Sequence, residues 1–200
     1  AEIYLARSFG VEGFERHLVI KRILPQLASS PRFVGLFIKE AKISASLSHP
    51  NIVQIYELGR VGSDHYIAME HIHGRDLTRI NRSMRGTAER MAVPLAVFVV
   101  ASILRGLSHA HTRTDAKGRT LNLIHRDVSP HNVMIGFQGE VKLFDFGIAR
   151  LVGDSDPVEG IPGGGKYAYM SPEQANGLPM DLRSDLYSAG VVLYELLVGH

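Results

Sequence analysis

Four polar residues interrupt otherwise apolar stretches: Lys21 in HLVIKRI, Glu40 in VGLFIKEAKIS, Asp127 in HRDVSPHN and Asp145 in LFDFG. The chain has no cysteine, so thiolate chemistry and disulfides are excluded and any reaction must use oxygen and nitrogen groups. Carboxylates suit proton transfer and hard cations, and a lysine suits anions. Taken singly, each residue also has a plain reading. Lys21 fits a strand lysine whose stem lies along apolar surface, and the two aspartates fit turns folded back on their own backbone.

The elements that must hold these residues follow from periodicity. EIYLAR and HLVIKRI flank the turn signal Gly10 to Gly13 and read as a hairpin. From Pro31 to Leu47 the period changes, with Phe33, Leu36, Phe37, Ile43 and Leu47 lying three, four or seven positions from Glu40. That carboxylate therefore sits in an apolar helical stripe and calls for a cation. IVQIYELG and HYIAME give two more strands across Gly62. Beyond Gly74 helices dominate: a short polar one near Asp76 to Met84, a long apolar one with Pro94 in its first turn, and DLRSDLYSAGVVLYELLVG near the end. LIHRDVSPHNVMI and EVKLF read as a loop with two short strands, TRTDAKGRTLN as a polar surface loop, and the glycine-rich Gly153 to Gly165 as a mobile one.

A chain of 200 residues with 45% hydrophobic and 21% charged residues is globular, with room for one core or two small lobes. A net charge of +2 gives no support to nucleic-acid binding. The longest uncharged stretch, Met91 to Leu104, is shorter than the roughly 20 residues of a membrane span, so a buried helix is expected and no membrane segment in this window. The start at Ala1 lacks signal-peptide features, and a beginning inside a longer protein is expected.

Order and spacing join the four residues. A strand lysine, a helix glutamate nineteen residues later, HRDVSPHN, and DFG thirteen residues after Asn132 together resemble the eukaryotic-like serine/threonine protein kinases, in particular the bacterial ones. HPNIV, YIAME, SPE at 171 to 173 and DLYSAGVVLYEL agree with that resemblance across the whole chain. It implies an α+β, two-lobed fold with an antiparallel ATP-binding lobe over 1–70 and a mainly helical catalytic lobe over 71–200. It implies ATP and Mg²⁺ as cofactors and protein serine or threonine hydroxyls as acceptors, with cytoplasmic chemistry in a protein that is free or membrane-tethered. No feature sets an oligomeric state.

The resemblance also implies residue roles. Lys21 would face the α and β phosphates with Glu40 holding its ammonium, Asp127 would orient the acceptor hydroxyl, and Asn132 and Asp145 would hold Mg²⁺. Ile3, Val19 and Met134 would sandwich the adenine, Met69 would stand as gatekeeper, and hinge backbone at Glu70 and Ile72 would read the base edge. Ser129 stands where the family usually carries a lysine, and Lys166 where it usually carries a threonine, which suggests that the two have exchanged places and makes Lys166 a catalytic candidate.

Other departures are the absence of the glycine-rich loop before Ala1 and of the helices that follow His200. Glu173 would then lack an arginine partner, and Val191, Val192, Leu193 and Leu196 would be exposed. Arg126 precedes Asp127 as in kinases switched by loop phosphorylation, but Ser155 is the only hydroxyl between Ile148 and Gly165. Two alternatives remain: a pseudokinase-like binding module, and a small-molecule phosphotransferase, against which SPE and DLYSAG weigh. The pairs His71, His73 and His109, His111 read as hinge and core histidines and not as metal ligands.

Overall fold

Alternating apolar residues draw EIYLARSF and ERHLVIKR into an antiparallel pair, β1 (Glu2–Phe9) and β2 (Glu15–Arg22), joined by a short 3-10 turn at Val11–Gly13. The computed structural model describes residues 1–85, 87, 90–115, 117–146 and 166–199, the Lys166 side chain excepted. Two helices follow β2: α1 (Pro25–Ala28), a four-residue turn without a sequence signal, and α2 (Pro31–Ala45), begun by a proline that needs no amide partner there. Strands β3 (Ile55–Val61) and β4 (Asp64–Glu70) complete an antiparallel sheet of order β1-β2-β4-β3. Gly62 turns between them at φ +60, a conformation that glycine enters without steric cost.

Register decides which residues share a face. Ile3 lies opposite Lys21, Val19 opposite both Leu5 and Met69, and Lys21 opposite Ile67. Directly paired residues and residues two apart point the same way, so Ile3, Val19, Lys21, Ile67 and Met69 lie on one face. Against this face α2 packs Phe37 and Ala41, forming a first core with Ile23, Val53, Ile67, Met69 and Ile72.

The second region begins with β5 (Gly74–Asp76), α3 (Leu77–Met84) and α4 (Val93–His111). Asp76 caps α3 by accepting from the Arg79 amide at 2.9 Å. After a 3-10 turn at Pro130–Asn132 come β6 (Val133–Gly136) and β7 (Val141–Leu143), which form an antiparallel sheet of order β5-β6-β7. A side chain at Gly74 would strike the Ile135 carbonyl, so the close approach of β5 to β6 requires glycine. A 3-10 turn at Lys166–Tyr169, α5 (Pro172–Ala175) and α6 (Leu182–Val198) complete the described chain. The loop expected over Gly153 to Gly165, with Ser155, lies outside the described residues.

Helix α4 extends six residues past Arg105 to 19 in all, which makes it long and apolar enough to cross a membrane. Here it buries Ala96, Val99, Val100, Ile103, Leu107 and Ala110 in a second core that also holds Val192 and Leu196 of α6. That corrects the expectation of an exposed apolar α6: Val192 is fully buried, Leu196 is 2% exposed, and Val191 and Leu193 are half-buried, because α6 turns this face onto α4. Tyr187 and Tyr194 lie outward instead. The HPNIV segment ties the two regions together. Val53 N–H donates to the Leu143 carbonyl, Leu143 N–H to the Asn51 carbonyl, and Asn51 Nδ2 to the Val141 carbonyl, each at 2.9 Å.

Candidate active site

Lys21, the penultimate residue of β2, lies where the sheet, α2 and the segment after β7 meet. Its ammonium donates to Glu40 Oε1 at 2.8 Å and to Asp145 Oδ1 at 2.7 Å. The lysine is 9% exposed. Burial is the largest single influence and favours the neutral amine, but Asp145 and Glu40 together outweigh it and hold the pKa above the ordinary lysine value. Glu40 is pushed above the usual carboxylate range by its own burial, against the pull of Lys21. Three charges from three elements thus share one partly dry point, in which the Lys21–Glu40 pair, buried on both sides, is the costly one to break.

Asp127 lies at the end of a tightly held loop. Asn132 Nδ2 donates to both its backbone carbonyl at 2.7 Å and its carboxylate Oδ2 at 2.9 Å. With the nitrogen so engaged, Asn132 Oδ1 is left as an oxygen donor. Asp145 offers a second oxygen site, its side chain 38% exposed. Among the described residues no group of three or more His, Asp or Glu forms a metal site. A pair of hard oxygens such as Asn132 and Asp145 fits Mg²⁺, which takes few protein ligands and fills its shell with water and phosphate.

Two residues of this region hold left-handed backbones without being glycine, Arg126 at φ +67 and Asp145 at φ +56. The first is locked by Asp185, 1% exposed at the start of α6, whose carboxylate accepts from the backbone N–H of His125 and of Arg126, both at 2.8 Å. His111 Nε2 lies 2.8 Å from the same carboxylate. His125 is fully buried, its Nδ1 accepting from the Asp127 amide at 3.3 Å and its Nε2 lying 3.1 Å from the Phe144 carbonyl. These partners require the neutral ring with its proton on Nε2.

The apolar candidates meet in part. Met69 and Ile72 belong to the first core, with Val19 and Met134 packed against it. Ile3 shares their face but is 61% exposed, so it stands at the rim and not within the cluster. The Glu70 carboxylate is taken, bonded to Lys142 Nζ at 2.8 Å and 2.9 Å and accepting from the Gln54 amide at 3.1 Å. Ser129 is 1% exposed and its Oγ has no hydrogen-bond partner among the described residues. Lys166 begins a 3-10 turn, and its side chain lies outside the described residues.

Glu173, expected to lack an arginine, takes a hydrogen bond from Ser184 Oγ instead. His109 stacks on His49 with ring centres 5.1 Å apart, and His71 lies 6.4 Å from His73. No residue pattern signals the bonds of Asp185 or the Glu70 to Lys142 pair, since both join residues dozens of positions apart.

The pattern that defines the protein kinase domain matches residues 12–200. The chain belongs to the protein kinase family. It is 45% identical to "Tyrosine-protein kinase MasK" of Myxococcus xanthus over 98% of its length and 30% of that protein's. It is 38% identical to "Serine/threonine-protein kinase PknB" of Mycobacterium leprae over all of this chain and 30% of that protein. The chain thus spans about 30% of the length of these relatives. Among solved structures, the PknI kinase domain of Mycobacterium tuberculosis superposes with a TM-score of 0.71 at 27% identity, over 98% of this chain and 67% of that one. The fold is the two-lobed α+β protein kinase fold, one antiparallel sheet region and one helical region, of the eukaryotic-like bacterial type.

Proposed function

We propose that the protein transfers the γ-phosphate of ATP to serine or threonine hydroxyls of other proteins. The observation that carries this reading is the joint engagement of Lys21 by Glu40 and Asp145, at 2.8 Å and 2.7 Å, beside an Asp127 held by Asn132. ATP supplies the phosphoryl group, and Asn132 and Asp145 would hold Mg²⁺, which would supply neutralisation of the phosphate charge there. Lys21 binds the α and β phosphates, steadied by Glu40. Val19 and Met134 close on the adenine with Ile3 at the rim, Met69 stands at the back, and the backbone of Glu70 and Ile72 reads the base edge. Asp127 orients the acceptor hydroxyl and takes its proton. The boundary between the ATP-binding lobe, 1–70, and the catalytic lobe, 71–200, falls where β4 ends. The reaction takes place in the cytosol, where ATP is available.

Lys166 supplies the cation that Ser129 does not. A buried Ser129 with an unpartnered Oγ supports this, since no charge of its own faces the reaction there. Lys166→Ala should lower kcat while leaving the KM for ATP nearly unchanged. A larger effect on KM overturns the assignment.

The test of the main reading is transfer from labelled ATP with Mg²⁺ to a protein substrate, with Asp127→Asn as control, followed by identification of the labelled amino acid. Label on serine or threonine that vanishes in the variant is expected. One observation favours a second reading: the relative at 45% identity carries a tyrosine-kinase name. Label on tyrosine alone would establish that reading, and no label in either protein would leave a binding module.

A further inference from the structure

A cleft of about 370 Å³ opens between α3, the turn at 130–132 that follows Asp127 in the chain, the turn at 166–169 and α6. Its volume is in the range of ligand sites, and His131, four residues past Asp127, stands in its wall. The charge of this wall is one-sided. Its acid, Glu195, is buried and already bonded to Arg85 at 3.2 Å and to the Tyr169 hydroxyl at 2.5 Å. Arg82 is exposed and has no ion pair among the described residues, and the Arg85 side chain is 61% exposed, with guanidinium donors to spare.

Asn81 lines the same cleft at 7% exposure, and neither its Oδ1 nor its Nδ2 has a hydrogen-bond partner among the described residues. A buried carboxamide without partners costs stability, and its donor and acceptor match those of a peptide group. We propose that this cleft binds an acidic segment of the protein substrate, the segment's carboxylates meeting Arg82 and Arg85 while Asn81 pairs with its main chain. The inference rests on the kinase reading, which puts the reacting hydroxyl at the loop whose Pro130 and His131 wall this cleft, and it names the substrate class for that site.

Binding tests it without turnover. Three labelled peptides, each with one serine flanked by glutamates, by glutamines or by lysines, are titrated onto the full protein without ATP and followed by fluorescence anisotropy. The glutamate peptide should bind about tenfold tighter than the lysine peptide, a margin typical of charge-assisted hydrogen bonds, and the margin should shrink at high salt. Arg82→Glu should reverse the order. Asn81→Leu should weaken all three peptides while keeping or raising the thermal midpoint, because it removes unpaired polar atoms from a buried place; a purely structural Asn81 would lower it. Equal or undetectable binding of the three peptides, or an order that Arg82→Glu leaves unchanged, overturns the proposal. If the peptide order holds but no phosphate is transferred, the kinase reading fails and the acidic site stands.

Discussion

Asp145 and Asp185 are both aspartates near the same loop, yet their partners differ in kind. Asp145 is partly exposed and bonded to the flexible ammonium of Lys21, which Glu40 shares from another element. Asp185 is buried and holds two backbone amides, those of His125 and Arg126, with His111 against its other side. A side-chain partner can exchange when a ligand arrives, whereas a backbone partner fixes the path of the chain. The first arrangement suits a group that is to meet phosphate and cation, and the second suits a group that keeps Asp127 in place.

Removing the scaffold should therefore act on folding, and removing the exchangeable group on turnover. Asp185→Ala strips the acceptor from two buried amides and releases the strained Arg126 backbone, so a loss of about 3–5 kcal/mol in denaturant unfolding is expected, with activity lost alongside. A loss under about 1 kcal/mol would dissolve the distinction. Asp145→Asn should leave stability within about 1 kcal/mol of the parent but lower phosphate transfer roughly a thousandfold, as loss of a group that neutralises transition-state charge does. Glu40→Gln retains a hydrogen-bond acceptor for Lys21 but not its charge. A fall in kcat/KM of about tenfold to a hundredfold, read by steady-state kinetics, would place Glu40 between the two aspartates.

The same contrast explains what the sequence could reveal. Lys21, Glu40, Asp127 and Asp145 were legible because each is a charge in apolar surroundings, and their spacing matches a known family pattern. Helix α4 and its Pro94 start were legible from periodicity. Asp185 was not, since its partners are backbone amides 59 and 60 positions away, which carry no residue-type signal. The three-residue β5 and four-residue α1 are too short to show a period. The burial of Val192 and Leu196 was misjudged because a helix apolar on most faces does not disclose which face meets α4.

The smallest expected effect concerns His125, which connects the two regions through its ring. Burial, opposed by Asp185 and Asp127, holds its pKa below the ordinary 6.5, so the folded ring stays neutral where the unfolded chain takes up a proton. The stability due to this group is complete above pH 6.5 and declines as pH falls, with a slope of at most about 1.4 kcal/mol per pH unit. Protonation would also place a hydrogen on Nδ1, where the Asp127 amide now donates, so the catalytic loop should loosen together with the fold. His49, stacked on His109 of α4, and His71, directly after β4, are also lowered by burial and act in the same direction. Urea unfolding of the parent and of His125→Asn at pH 7.5, 6.5 and 5.5 separates the contributions. A shallower slope in the variant assigns the acid sensitivity to the loop that Asp185 fixes, and an unchanged slope assigns it to His49 and His71 and leaves His125 a packing residue.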